Sequence, residues 1–145
     1  MRTARTPLSR VARSKTKAAP TILVVDDEED IREAIAWELT CEGYDVRTAR
    51  NGREAIRQLS CGRLPDAILL DLVMPDMSGW SFRAELLKDP ALAAIPLILA
   101  SGAPSIARDA KLMGAAMTLP KPFDLDRLLG AVEIVTAPWA LQRAL

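Results

Sequence analysis

Short apolar runs alternate with amphipathic helical patterns along most of this 145-residue chain, and that alternation limits the fold more than any other feature. The runs are continuously apolar, as expected of strands that are buried on both faces of a parallel sheet. Strands that follow one another through helices are parallel and are joined by right-handed crossovers. The sequence therefore predicts an α/β fold, a (βα)5 doubly wound parallel sheet.

The predicted elements have definite positions. The strands are expected at Ile22–Val25, Tyr44–Thr48, Asp66–Leu70, Leu97–Ala100 and Ala115–Leu119. The helices are expected around Ile31–Leu39 with a stop at Gly43, from a cap at Asn51 to Leu59, at Ser78–Lys88, at Pro104–Met113, and from about Leu125 through Val132.

Charge is distributed unevenly along the chain. Residues 1–19 carry six basic side chains and no acidic one, and we expect them to form a disordered basic tail. Residues 20–137 are expected to form one folded domain, and residues 138–145 a short C-terminal extension. All 19 acidic residues lie outside the tail, so the domain is acidic and nucleic-acid binding is not expected of it.

Several classes of site are excluded by composition. The chain contains no histidine, which excludes a Ser-His-Asp or Cys-His catalytic site and any phosphohistidine on this chain. The two cysteines, Cys41 and Cys61, form no CxxC pair and fit free thiols in the cytoplasm. No apolar run is long enough to span a membrane.

Polar side chains follow four of the predicted strands. Asp26 and Asp27 follow the first strand, Asp71 the third, Ser101 the fourth and Lys121 the fifth. In an open α/β sheet, ligands bind beyond the carboxyl ends of the strands, so these side chains are expected at one common edge.

Three carboxylates at one edge need a cation. At a separation of ~4 Å and an effective dielectric constant near 20, each pair repels by about 4 kcal/mol. Mg²⁺ suits an all-oxygen site of this kind, and Lys121 adds a further positive charge beside it. Such a site can accept a phosphoryl group, and a carboxylate, best Asp71, can act as its nucleophile.

Four segments together resemble the receiver domain of two-component response regulators. They are ILVVDDEEDIRE (Ile22–Glu33), ILLDLVMPDMSGW (Ile68–Trp80), PLILASG (Pro96–Gly102) and LPKPF (Leu119–Phe123). The resemblance implies a flavodoxin-like fold with strand order 2-1-3-4-5, and it makes residues 20–137 a receiver domain.

The resemblance also assigns roles. Asp71 would be the phosphoacceptor, and Ser101 and Lys121 would contact the new phosphoryl group. Mg²⁺ would be held by Asp27, Asp71, the backbone carbonyl of Val73 and, through water, Asp26.

The resemblance further implies partners. The phosphoryl donor would be a phosphohistidine on a sensor histidine kinase or a histidine phosphotransfer protein. The chain would not be an enzyme in the usual sense, although it would promote its own phosphorylation and dephosphorylation. No output domain is recognised in the sequence, so we expect a stand-alone, chemotaxis-regulator-like receiver that signals to an unknown protein by contact or relays phosphate. Dimerisation through the last two helices is compatible with such a fold.

Two positions qualify the resemblance. Thr118 stands where the family usually has an aromatic residue, three before the lysine, so output is expected through a different packing change on the face of the fourth helix, fifth strand and fifth helix. Val73 and Ala103 flank the path of attacking water and cannot orient it, which predicts slow self-hydrolysis.

Two other functions share part of this pattern. An aspartate-nucleophile phosphohydrolase would have a second aspartate two residues after the nucleophile, where this chain has Val73. A pseudo-receiver scaffold would not need the complete set of Asp26, Asp27, Asp71, Ser101 and Lys121.

Overall fold

The computed structural model of this chain describes residues 19–144. Five strands form one parallel sheet in the order β2-β1-β3-β4-β5. The strands are β1 Thr21–Val25, β2 Asp45–Ala49, β3 Ala67–Asp71, β4 Leu97–Ser101 and β5 Met117–Pro120. The predicted fold class and strand order are confirmed, while the disorder predicted for the basic tail concerns residues that lie almost wholly outside the described range.

Helices cover both faces of the sheet. They are α1 Glu29–Cys41, α2 Gly52–Leu59, α3 Gly79–Leu86, α4 Pro90–Ala93, α5 Ile106–Met113 and α6 Leu125–Ala144. One apolar cluster joins the sheet to α2, α3 and α5, and a second joins it to α1 and α6. Strands β1, β3 and β4 contribute residues to both clusters and are buried along their whole length, which explains their nearly continuous apolar sequences, whereas β2 at the edge of the sheet is partly exposed.

Local signals fix several helix ends. The Asn51 side chain accepts a hydrogen bond from the Glu54 N–H at 2.8 Å, so the predicted cap of α2 is present. Helix α5 ends at Gly114, whose φ of 70° lies in the left-handed region that glycine adopts most readily.

Two helices differ from expectation. The short helix α4 was not predicted, although Asp89 caps it and Pro90 stands at its start, a combination typical of helix N-termini. Helix α6 continues through Pro138 to Ala144, so residues 138–144, predicted as a short C-terminal extension, continue this helix. Within residues 19–144, no helix has the length and apolarity needed to cross a membrane.

Candidate functional site

Four strand ends bring the predicted polar residues to one edge of the sheet. Strands β1, β3, β4 and β5 are neighbours in that order and parallel, so their carboxyl ends coincide. Asp26 directly follows β1, Asp71 and Ser101 are the last residues of β3 and β4, and Lys121 directly follows β5. The structure thus brings together the five predicted site side chains, Asp26, Asp27, Asp71, Ser101 and Lys121. They come from segments far apart in the sequence but lie at the ends of strands that are neighbours in the sheet.

Asp26 is the most firmly held of the three aspartates. It is 3% exposed, and its backbone N–H donates to the Ala49 carbonyl at 3.1 Å. One carboxylate oxygen accepts from the Glu28 N–H at 2.9 Å, and the other lies 3.5 Å from Lys121 Nζ. An Arg32 guanidinium nitrogen donates to the Asp26 carbonyl at 2.9 Å. The carboxylate is therefore fixed in direction before any ligand arrives.

Lys121 joins two carboxylates. Its ammonium lies 3.4 Å from an Asp71 oxygen and 3.5 Å from an Asp26 oxygen. Burial lowers the pKa of the Lys121 ammonium, but Asp71 and Asp26 outweigh that effect and the net shift is upward. Lys121 is therefore held charged at the edge of the site.

Asp71 is under opposing influences. Burial raises the pKa of its carboxyl from 3.8 to about 6; the Lys121 ammonium opposes this rise, and the Asp26 carboxylate adds to it. A backbone hydrogen bond from Val73 also favours the ionised form. The raised pKa indicates that the local positive charge does not fully offset burial and the neighbouring carboxylate.

An open pocket of about 460 Å³ covers this edge. It is lined by Asp27, Glu28, Asp71, Val73, Ser101, Gly102, Ala103 and Lys121. Ser101 is 2% exposed, and its Oγ accepts a hydrogen bond from the Ala103 N–H at 3.0 Å, so its hydroxyl is held by its own loop. Val73 exposes 72% of its surface beside the pocket.

The donor set fits a hard divalent cation. Asp26, Asp27 and Asp71 each offer one carboxylate oxygen, and these oxygens lie within 4.8 Å of one another. All three donors are oxygen, the ligand type that Mg²⁺ prefers, and a second positive charge would complete the partial compensation that Lys121 gives Asp71.

Sequence reasoning missed two neighbours of the site. Glu28, which directly follows the aspartate pair, also lines the pocket. Arg32, in the first turns of α1, donates a hydrogen bond to the Asp26 carbonyl, and no pattern in the sequence predicts that contact.

Comparison with known proteins gives consistent matches. The sequence profile of the response regulator receiver domain matches residues 22–133. The chain is 38% identical over 110 residues to response regulator MprA of Mycolicibacterium vanbaalenii, covering 74% of this chain and 46% of that protein. It therefore spans about half the length of this curated relative.

Solved structures match at similar identity. Chemotaxis protein CheY4 of Vibrio cholerae superposes with a TM-score of 0.75 at 32% identity, covering 81% of this chain and 99% of that one. The signal receiver domain of a signal transduction histidine kinase from Syntrophus aciditrophicus gives a TM-score of 0.75 at 34% identity, covering 83% and 92%.

Proposed function

This chain belongs to the response regulator receiver domain family, and from that premise we propose that it is a phosphoacceptor switch whose Asp71 takes a phosphoryl group from a phosphohistidine. The observation that carries the proposal is the Lys121 ammonium, 3.4 and 3.5 Å from Asp71 and Asp26, in a cluster of three aspartate carboxylates. Charge of both signs is then in place around the oxygen that would react.

The proposed transfer is a nucleophilic displacement at phosphorus. An Asp71 carboxylate oxygen forms the new P–O bond while the P–N bond to the donor imidazole breaks. The imidazole nitrogen leaves with the electron pair and takes up a proton. No histidine of this chain is required, in keeping with the sequence.

The residues around Asp71 would orient the phosphoryl group and offset its negative charge. Asp26, Asp27, Asp71 and the Val73 carbonyl would hold Mg²⁺, which when bound offsets negative charge on the phosphoryl oxygens. Lys121 would pair with the new phosphoryl group. Ser101 would donate its hydroxyl hydrogen to that group, since accepting the hydrogen bond from the Ala103 N–H leaves that hydrogen available.

The partners follow from this chemistry. The donor would be a sensor histidine kinase or a histidine phosphotransfer protein, and we place the exchange in the cytoplasm, where Cys41 and Cys61, both free, remain thiols. The output would pass by protein contact through the face of α5, β5 and α6, or by relay to another histidine. Recovery of phosphate on a histidine phosphotransfer protein would distinguish relay from contact.

The decisive experiment is phosphorylation by a small donor. We expect incubation with acetyl phosphate or phosphoramidate and Mg²⁺ to add one phosphoryl group, detected by intact mass, and chelation of Mg²⁺ to abolish the addition. Asp71→Asn removes the acceptor oxygen and should add none, while Asp30→Asn, which changes an exposed carboxylate on α1, serves as the matched control.

This experiment and a chromogenic phosphate ester assay together separate the alternatives. A pseudo-receiver scaffold would gain no phosphoryl group under any of these conditions. A phosphohydrolase would turn over a chromogenic phosphate ester continuously, and Asp71→Asn would stop it. Either result would overturn the proposal.

A further inference from the structure

The loop that follows β3, residues 72–78, is closed at its base; it is called here the acceptor loop. The Leu72 carbonyl accepts from the Gly79 N–H at 2.9 Å, and a Cβ on Gly79 would lie 2.9 Å from that same oxygen. Met74 is buried in the core. Val73 lies between these two anchors and lines the pocket.

The far side of the acceptor loop rests on the first turn of α2. A Cβ built on Gly52 would lie 2.8 Å from Met77 Sδ and 3.0 Å from Met77 Cβ and Cγ. Met77 thus occupies the space that any side chain at position 52 would need. Gly52 is not among the glycines with positive φ, so its backbone accommodates other residues, but a Cβ at this position would require the Met77 side chain to shift.

The first turn of α2 is a firm platform for that contact. Asn51 Oδ1 accepts from the Glu54 N–H, and a Glu54 carboxylate oxygen accepts from the Arg50 N–H, both at 2.8 Å. Asn51 Nδ2 also donates to an Asp76 carboxylate oxygen at 3.4 Å, a second link to the acceptor loop. These bonds fix the turn on which Met77 packs.

We propose that Gly52 is a positioning residue for the metal-binding site, acting through Met77. By leaving room for Met77 on α2, Gly52 fixes the acceptor loop and thereby the backbone of Val73 beside Asp71. This inference rests on the proposed function, because it takes the acceptor loop to supply a Mg²⁺ ligand. It assigns to an element outside the pocket a part in metal affinity.

The test is the Mg²⁺ dissociation constant of the folded protein, measured by calorimetry. We expect Gly52→Ala to weaken Mg²⁺ binding about tenfold, within the range seen when residues supporting metal ligands are changed. Gly130→Ala is the matched control: it also places alanine in a helix, and its Cβ would meet nothing within 4 Å. It should leave the dissociation constant unchanged.

A second variant ties the effect to Met77. Met77→Ala should also weaken Mg²⁺ binding, and the double variant Gly52→Ala/Met77→Ala should be no weaker than the worse single variant, because one contact cannot be lost twice. In metal-free protein, backbone amides of the acceptor loop should exchange faster with solvent deuterium in Gly52→Ala than in Gly130→Ala.

Three outcomes decide the matter. Gly52→Ala that loses thermal stability yet keeps the wild-type dissociation constant and loop exchange would make the contact structural only and overturn the inference. Losses that add in the double variant would also overturn it. A wild-type protein that binds no Mg²⁺ and accepts no phosphoryl group would instead refute the proposed function itself.

Discussion

At Asp71, burial and the Asp26 carboxylate act against the Lys121 ammonium. Its carboxyl has a pKa of about 6, raised by burial and by Asp26 despite the opposing Lys121 ammonium. The folded protein therefore binds a proton at this site more tightly than the unfolded chain does. A phosphoacceptor must be ionised to attack phosphorus, so in the proposed transfer the compensating charges would decide how readily Asp71 reacts.

The raised pKa predicts a pH-dependent stability difference. In metal-free buffer, the stability contributed by protonated Asp71 is fully present below pH 3.8 and is lost as the pH rises through about 6. We therefore expect the free energy of unfolding of wild type to fall relative to Asp71→Asn across this window, by on the order of 1–3 kcal/mol. Urea unfolding of both proteins between pH 4 and 7 measures the difference.

Groups that titrate alike in wild type and in Asp71→Asn do not contribute to the difference between the two proteins. Lys121 loses a charged partner in Asp71→Asn, and because Asp26 remains 3.5 Å away it stays paired. A difference that is constant with pH, or that grows in favour of wild type, would contradict the assigned pKa.

At the scale of the elements, helices α3 and α5 are joined by a buried arginine. Arg83 on α3 is 7% exposed, and its Nε donates to the Met113 carbonyl at the end of α5 at 2.8 Å. Its NH1 has no hydrogen-bond partner in the described part of the chain, and burial lowers the pKa of its guanidinium. The link thus carries an uncompensated cost of desolvation alongside its one good hydrogen bond.

Two substitutions separate the desolvation cost of the Arg83 guanidinium from the benefit of its packing and hydrogen bond. Arg83→Ala should lower the free energy of unfolding by about 2–4 kcal/mol, because it opens a cavity and leaves the Met113 carbonyl without its donor. Arg83→Met also removes the donor to the Met113 carbonyl, but it keeps most of the volume and removes the buried charge, so it should cost only about 1 kcal/mol.

Chemical denaturation measures both variants, with Arg53→Ala on the exposed side of α2 as a control that should change stability by less than ~0.5 kcal/mol. If Arg83→Met were as damaging as Arg83→Ala, the guanidinium would be a net stabilising group and the argument from desolvation would fail.

At the scale of the whole molecule, the proposed metal binding would be coupled to folding. The three carboxylates come together only when β1 and β3 pair, since Asp26 and Asp71 are far apart in sequence. A ligand that binds the folded state alone stabilises it by mass action, so Mg²⁺ at 100 times its dissociation constant should add about 2.7 kcal/mol.

This coupling is measured as a rise in unfolding temperature on adding Mg²⁺, reversed by a chelator. Asp27→Asn removes one proposed ligand and should abolish most of the rise, while Asp30→Asn, changed three residues along the chain, should keep it. An equal rise in both variants would mean that Mg²⁺ acts elsewhere on the protein.

Much of the fold and of the site follows from local signals. The apolar runs at β1, β3 and β4 are explained by burial on both faces, and the polar residues at the strand ends, including Lys121 after β5, need no tertiary information to be noticed. The cap at Asn51 and the stop at Gly114 are likewise local, because each satisfies the chain within a few residues. Strand order came from the family resemblance and is confirmed by the pairing.

Other features depend on which elements lie next to each other. Asp26 and Asp27 are adjacent in sequence, yet only Asp26 is buried, because it alone turns toward Lys121 and the Glu28 N–H. In the sequence, Arg83 cannot be distinguished from any other helical arginine. Its buried hydrogen bond exists only because the Met113 carbonyl at the end of α5 lies next to it.

The sequence alone determined the alternating α/β fold and the polar residues that stand at its strand ends, because periodicity and strand termini are properties of short segments. Only the tertiary structure decided that Met77 fills the space above Gly52 and that the carboxyl of Asp71 has a raised pKa. The first depends on two backbones approaching within van der Waals distance, and the second on burial and charges contributed by separate strands. Neither can be read from a segment, since both are properties of packing between segments far apart in the chain.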